Sequence, residues 1–150
     1  MGRRLMVRTL HSWFLVSRGL TLGVRGAAVD PDGRVCLVRH TYLPGWHLPG
    51  GGVEIGETAT EALRRELHEE AAISIECEPE LHGIVHNRDV SRRDHVLVYV
   101  IRGFRSGERM PDREIAAASF FPLDALPEGT TRWTRDRLGE IAAGLPPPPA

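Results

Sequence analysis

The stretch Gly51–Ile73, "GGVEIGETATEALRRELHEEAAI", joins a run of glycines to a helix and gathers acid on one side of that helix. Thr58 and Glu61 have the S/T-x-x-E spacing of a capping box, in which the Thr side chain takes an orphan backbone N–H and the Glu side chain reaches back to the cap. The spacing predicts a helix beginning near Ala59. At about 100° per residue, Glu66, Glu69 and Glu70 cover roughly 100° of its circumference, with Leu63 and Leu67 as an apolar stripe beside them. Glu61, Arg64 and His68 fall on the opposite, solvated side. Like charges three and four residues apart repel on a helix. A solvated charged face is the default reading of such acids, and on it Glu69 and Glu70 face a solvated cluster rather than the core. Carboxylate oxygens also suit hard cations, and Mg²⁺ takes one or two carboxylates together with waters and substrate phosphate oxygens. Gly50, Gly51 and Gly52 let the backbone approach a ligand and offer a carbonyl as a further oxygen.

The spacing of the whole stretch decides between these readings. Gly51, Glu57, Arg65, Glu66, Leu67, Glu69 and Glu70 match G-x5-E-x7-R-E-U-x-E-E, where U is a bulky aliphatic residue, and this resembles the signature of the Nudix (MutT-like) hydrolase family. Fixed residues at roughly 6% background each make a chance match improbable, on the order of 10⁻⁸ per starting position. The resemblance implies an α/β fold, an α/β/α sandwich with a mixed β-sheet. It implies hydrolysis of a pyrophosphate bond in a nucleoside diphosphate linked to another moiety, by water attack on phosphorus. It further implies Mg²⁺, with Mn²⁺ as a substitute, held by Glu66, Glu69, Glu70 and the Gly50 carbonyl. Glu57 would support that cluster, Arg65 would hold a carboxylate in position, and Glu66 is a candidate for the base that takes the proton from water. One position departs from the family pattern: Ala72 stands where the signature has a glycine at the turn leaving the helix. If that turn needs left-handed backbone, Ala costs about 1 kcal/mol of local strain.

At 150 residues, with 41% hydrophobic and 26% charged residues, the chain suits one globular domain. A formal net charge of −1 gives no general attraction to nucleic acid or an anionic membrane. All 19 basic residues are arginine, for which we have no physical account. Cys36 and Cys77 have neither a redox nor a zinc-ligand spacing, which fits a reducing cytoplasm. Residues 1–22 read as an N-terminal amphipathic segment, residues 23–145 as the single Nudix domain and residues 146–150 as a proline-rich tail that frays. No apolar run is long enough to span a bilayer, so no membrane is expected. "VRGAAVD" and "VCLVRH" read as a β-hairpin around Asp32–Gly33, "LHGIVH" and "HVLVYVIR" as two strands joined by the polar "NRDVSRRD", "AAASFFPL" as a further strand, and residues 131–145 as a closing helix.

Three further residues are weaker candidates for substrate binding. Trp46 lies next to the glycine run and either contacts a base or packs the core. Arg88, in the polar hairpin loop, presents a fork matched to phosphate. Glu114, just before the last strand, offers an additional carboxylate as ligand or base. The partner implied is a small-molecule nucleotide or nucleotide derivative, with the capped end of an RNA also open, and a homodimer is possible. The alternative from another class is a non-catalytic Nudix-fold module that senses a nucleotide or docks a partner.

Overall fold

The computed structural model describes residues 17–148 together with Trp13, so most of the expected N-terminal amphipathic segment and the last two residues of the tail lie outside the described residues. In chain order the elements are β1 (Thr21–Ala28), β2 (Arg34–His40), β3 (Trp46–His47), α1 (Ala59–Ala71), β4 (Ile73–Ile75), β5 (Glu80–His86), β6 (Asp94–Ile101), β7 (Phe104–Ser106), β8 (Ile115–Pro122) and α2 (Arg132–Ala143). β6 lies between β1, to which it is parallel, and β5, to which it is antiparallel, so this sheet is mixed. β2 lies between β3 and β8 in an antiparallel sheet, and β4 pairs with β7.

The expected hairpin of the first two strands is corrected. The turn itself is built as read: the Asp30 carboxylate accepts from the Asp32 and Arg34 amides at 3.0 and 2.8 Å, and Gly33 takes φ 76°. Beyond a single bridge between Val29 and Val35, however, β1 and β2 part into different sheets. Turn chemistry is local and fixes the reversal of the chain, whereas the strand partners are chosen by burial on both faces. The short β4 and β7, also unanticipated, carry too few residues for a period to show.

Two cores explain the layers. Val24 and Ala28 of β1, Cys36 and Val38 of β2, and Tyr99 and Ile101 of β6 pack with Ala62, Leu63, Leu67 and Ala71 of α1. The alternate residues Ala27, Val29, Val35, Leu37, Val96 and Val98 pack with Leu138 of α2. Because strand side chains alternate between faces, the two helices cover opposite sides of the same strands, which is an α/β/α sandwich.

This arrangement sets the glycine loop against α1. A Cβ on Gly26 would lie 2.8 Å from a methyl of Leu67, so only a bare backbone lets α1 lie this close on β1. Val24 donates to the Gly51 carbonyl at 2.8 Å, Gly26 to Pro49 at 2.9 Å, and Val53 donates to Leu22 at 2.9 Å. The loop is thereby strapped along β1, whose first residue, Thr21, falls before the domain start expected at residue 23. At the other end Pro147 packs on Gly83 of β5, where any Cβ would collide with the proline ring. Pro147 is thereby held against the sheet, while Pro146 and Pro148 on either side of it are exposed. No helix among the described residues is long and apolar enough to cross a membrane.

Candidate active site

α1 starts as its sequence dictates. Thr58 accepts from the Glu61 amide at 3.2 Å, and Glu61 accepts from the Thr58 amide at 2.8 Å, closing the capping box. One turn on, Arg65 grips Glu57 with two parallel bonds, Nε to Oε1 at 2.9 Å and Nη2 to Oε2 at 3.0 Å. Its Nη1 donates to Glu66 Oε1 at 2.7 Å, and Nη2 reaches the Gly52 carbonyl at 3.2 Å. Such fork-to-carboxylate pairs are the strongest of the charge-assisted hydrogen bonds. The Arg65 guanidinium holds the Glu57 carboxyl below the usual carboxylate range, and the two acids in turn raise the Arg65 pKa. A Cβ on Gly51 would meet the Glu66 carboxylate, so a side chain there would displace Glu66 from its position on Arg65.

Glu70 occupies the opposite end of the acidic face in a different setting. Its side chain is only 13% exposed, against 58% for its neighbour Glu69, so the expectation that both face a solvated cluster is corrected for Glu70. The helix turns Glu70 inward beneath the glycine loop, where the Gly50 amide donates to Oε2 at 2.9 Å. Among the described residues, only His40 Nε2 approaches within ion-pair range, at 3.8 Å from Oε1. Burial pushes the His40 pKa down, as do the charges of His47 and Arg25, so at neutral pH it brings no countercharge. Burial also pushes the Glu70 carboxyl up to about 7; the Gly50 bond and the more distant Arg25 and Arg109 oppose this, and Glu66 adds to it. Cys36, beneath the same cluster, is raised to about 12 by burial first and the Glu70 charge second, which makes it an inert thiol.

Gly50 takes φ 144°, and its missing Cβ leaves room for the Val24 carbonyl. Its own carbonyl accepts from Arg25 Nη1 at 2.6 Å, and the same nitrogen donates to Leu48 at 3.2 Å. Arg25, His40 and Arg109, which donates to the Glu69 carbonyl at 2.9 Å, are the site residues that sequence reasoning missed. The signal for Arg25 was a lone charge in the otherwise apolar "VRGAA". His40 and Arg109 gave none that periodicity would detect.

Three carboxylates and a carbonyl are all hard oxygen donors, and the desolvated Glu70 has no cationic side chain in contact. That donor set and that charge fit a divalent metal of the Mg²⁺ class. The three carboxylates are not drawn together: Glu66 and Glu69 lie 2.7 and 3.5 Å from Arg65, and among the described residues no three His, Cys, Asp or Glu side chains form a metal-ready cluster.

The weaker candidates fall outside this group. Trp46 packs edge-on against Phe121 at 4.9 Å between ring centres, beneath Arg39, so its indole serves the second core. Arg88 donates to His86 Nδ1 at 3.1 Å on the hairpin loop. The exposed Glu114 side chain is not brought to the cluster, although its carbonyl accepts from Thr41 at 2.9 Å, one residue from His40. A cavity of about 530 Å³ shares Arg25 and Leu48 with the site and is lined also by Asn87 and Trp133.

The family model described as the NUDIX domain matches residues 19–140. The chain belongs to the Nudix hydrolase family. It is 37% identical over 127 residues to a MutT-like protein of Streptomyces ambofaciens, covering 85% of this chain and 80% of that one. To an ADP-ribose pyrophosphatase of Methanocaldococcus jannaschii it is 34% identical over 104 residues, 67% of this chain and 61% of that protein. Its fold is similar to that of a MutT Nudix hydrolase from Burkholderia pseudomallei, with a TM-score of 0.70 and 30% identity over 81% of this chain and 97% of that one. The Nudix match begins just before β1, and the Ala72 departure from the signature lies inside it. Ala72 adopts φ 52° and ψ 35°, the only positive φ outside glycine among the described residues, so this turn keeps the left-handed backbone that the family's glycine serves.

Proposed function

We propose that this Nudix protein is a metal-dependent pyrophosphohydrolase that cleaves a nucleoside diphosphate linked to another moiety. The observation that carries the reading is Glu70, a desolvated carboxylate beneath the glycine loop without a cationic side chain in hydrogen-bond contact, next to acids that share the single Arg65 guanidinium. In this reading Glu66, Glu69, Glu70 and the Gly50 carbonyl hold Mg²⁺, or Mn²⁺ in its place. Such an ion, when bound, neutralises charge on phosphate oxygens and makes water more acidic.

The chain's own residues supply the rest. Glu57 and Arg65 fix the position of Glu66, so that its carboxylate is oriented before substrate arrives. Water attacks phosphorus, one P–O bond forms as the bridging P–O bond breaks, and Glu66 takes the proton that water loses. Arg25, already at the Gly50 carbonyl, lies where the cavity meets the loop and presents its guanidinium to phosphate. The pyrophosphatase named among its relatives supports the same class of bond.

The test is a panel of nucleoside diphosphate derivatives and triphosphates incubated with Mg²⁺, with products separated by chromatography. The expected result is metal-dependent release of a nucleoside monophosphate from at least one of them. No turnover of any substrate at millimolar Mg²⁺ or Mn²⁺ would leave the non-catalytic module as the better account.

A further inference from the structure

Among the described residues the Arg25 guanidinium is bonded to backbone only. Its Nη1 donates to the Gly50 carbonyl at 2.6 Å and to the Leu48 carbonyl at 3.2 Å, and no carboxylate of the described residues stands within ion-pair distance of it. By contrast Arg34, Arg65, Arg109 and Arg137 each hold a carboxylate. The strand sets the place of Arg25. Val24 and Gly26 on either side of it donate to Gly51 and Pro49, so the loop is strapped to β1 around the arginine. A Cβ on Gly50 would lie 2.9 Å from the Arg25 Cα. Gly50 thus stands between opposite charges: its N–H goes to Glu70 Oε2 at 2.9 Å and its carbonyl to Arg25. Burial raises the Glu70 carboxyl; the Gly50 bond opposes that rise first and the Arg25 charge next, so the guanidinium is felt across Gly50 without touching the acid.

We infer that Arg25 is a stand-in cation for the metal site: it holds the Gly50 carbonyl while no ion is bound and gives it up when a divalent cation takes that oxygen. The inference rests on the pyrophosphohydrolase reading in one respect, that the Gly50 carbonyl is a metal ligand. A carbonyl oxygen has two lone pairs, so crowding alone does not force the exchange. Charge does. A guanidinium and a divalent ion on one oxygen of a buried residue repel strongly, because little water lies between them to screen the charges. Arg25 has a long flexible stem and lines the cavity beside Leu48, so its head can leave the carbonyl without moving the strand. Its departure abandons no buried carboxylate, which is the usual cost of breaking an arginine contact. The exchange also orders binding. The Arg25 fork becomes free for a phosphate only once the Gly50 carbonyl has been taken from it. A buttress would behave in the opposite way: if Arg25 held the carbonyl in place for the ion, its loss would weaken the metal site, whereas the loss of a stand-in strengthens it.

The test is Mn²⁺ binding to the full chain without substrate, read from the electron paramagnetic resonance of free Mn²⁺, in the native sequence, Arg25→Met and Arg25→Lys. Arg25→Met keeps an unbranched stem and removes charge and donors together. Its Mn²⁺ dissociation constant should fall about tenfold, the equivalent of one charge-assisted hydrogen bond that the ion no longer has to break. Arg25→Lys keeps the charge and a donor and should stay near the native value. Equal or weaker Mn²⁺ binding by Arg25→Met, in a variant that still unfolds cooperatively, would overturn the inference. Should Arg25→Met not fold, the native protein carries the test in its guanidinium ¹H–¹⁵N spectrum, where the Arg25 signal is the one absent from Arg25→Lys. That signal should be protected from solvent exchange in chelator and lose the protection at saturating Mg²⁺; a signal that Mg²⁺ leaves unchanged would overturn the inference as well. Equal Mn²⁺ binding by the native protein and Arg25→Met, in a protein that hydrolyses pyrophosphate, removes the stand-in and leaves the hydrolase reading. Tighter binding by Arg25→Met, in a protein that turns over no substrate, supports the stand-in and sinks the hydrolase reading.

Discussion

Glu66 and Glu70 stand one helical turn apart on the same face of α1, and the molecule treats them in opposite ways. Glu66 shares the Arg65 guanidinium with Glu57, so at that end two carboxylates meet one cation held by three short hydrogen bonds. Glu70 is as deeply placed but has one backbone N–H and an imidazole kept neutral by burial. At the first end each carboxylate has a cationic partner in the protein alone, although one guanidinium leaves a net negative charge there. The second is missing a positive charge, and burying a carboxylate without one costs folding energy that surface acids do not incur. The difference between two chemically identical residues is made by the loops around them: the turn through Glu57 on one side and the glycine loop on the other.

The strongest way to break this comparison is to remove the charge at the incomplete end. Glu70→Gln should lower metal-dependent turnover by about 10²–10³-fold, the scale of a lost electrostatic contact at a reacting centre. Initial rates under saturating Mg²⁺ read this directly. A variant with near wild-type rates would show that Glu70 is buried for structure alone.

The next effect is in the metal-free protein and runs with pH. The folded-state pKa of Glu70, about 7, lies above its ordinary value of 4.5, so between these values the folded state holds a proton that the unfolded state has lost. Stability from this group is therefore fullest below pH 4.5 and falls as pH rises to about 7, by up to about 3 kcal/mol. Urea midpoints in chelator at pH 5 and pH 8 should show the fall for the native sequence, and Glu70→Gln should remove it. A fall of the same size in both proteins assigns it to other groups.

A smaller loss is expected at the Arg65 end. Arg65→Lys keeps the charge but loses the planar fork, so Glu57 and Glu66 cannot both be held as they are. Turnover should drop about tenfold, the equivalent of one good hydrogen bond, with substrate KM little changed. Full activity in Arg65→Lys would mean that charge alone suffices there and would remove geometry from the contrast with Glu70.

The smallest expected effect concerns the turn two residues beyond Glu70. Ala72 takes left-handed backbone, with its N–H directed at the His68 carbonyl and its carbonyl accepting from Gly107 at 2.8 Å. Ala72→Gly should raise stability by about 1 kcal/mol by removing the clash a Cβ makes in that conformation. A lower denaturation midpoint at unchanged slope would show that the entropy glycine adds to the unfolded chain outweighs the strain.

Local chemistry was legible and long-range placement was not. Thr58 and Glu61 announced the start of α1, Leu63 and Leu67 its buried stripe, and the glutamate spacing its acidic face, because each depends on residues within two turns of one another. The Asp32–Gly33 turn was equally plain, yet it said nothing of β1 pairing with β6 across some seventy residues, since a turn fixes direction and not partners. For the same reason Glu69 and Glu70 looked alike. Their separation into exposed and buried depends on a glycine loop strapped to β1, and on Arg25 and His40 from strands that periodicity treats as interchangeable. Trp46 could be read for packing or for binding, and its packing partner Phe121, some seventy residues away, gave no signal near it in the sequence.

The claim that Glu70 marks the place of a missing cation is tested most directly by the effect of Mg²⁺ on thermal unfolding at pH 8 in three proteins. The native sequence should be stabilised, by about 2.7 kcal/mol at a hundredfold excess of metal over its dissociation constant. Glu61→Gln, which removes one negative charge from the same helix while keeping the capping box, should respond as the native protein does. Glu70→Gln should lose most of the response. Equal Mg²⁺-dependent shifts in all three, or no shift in any of them, would contradict the account.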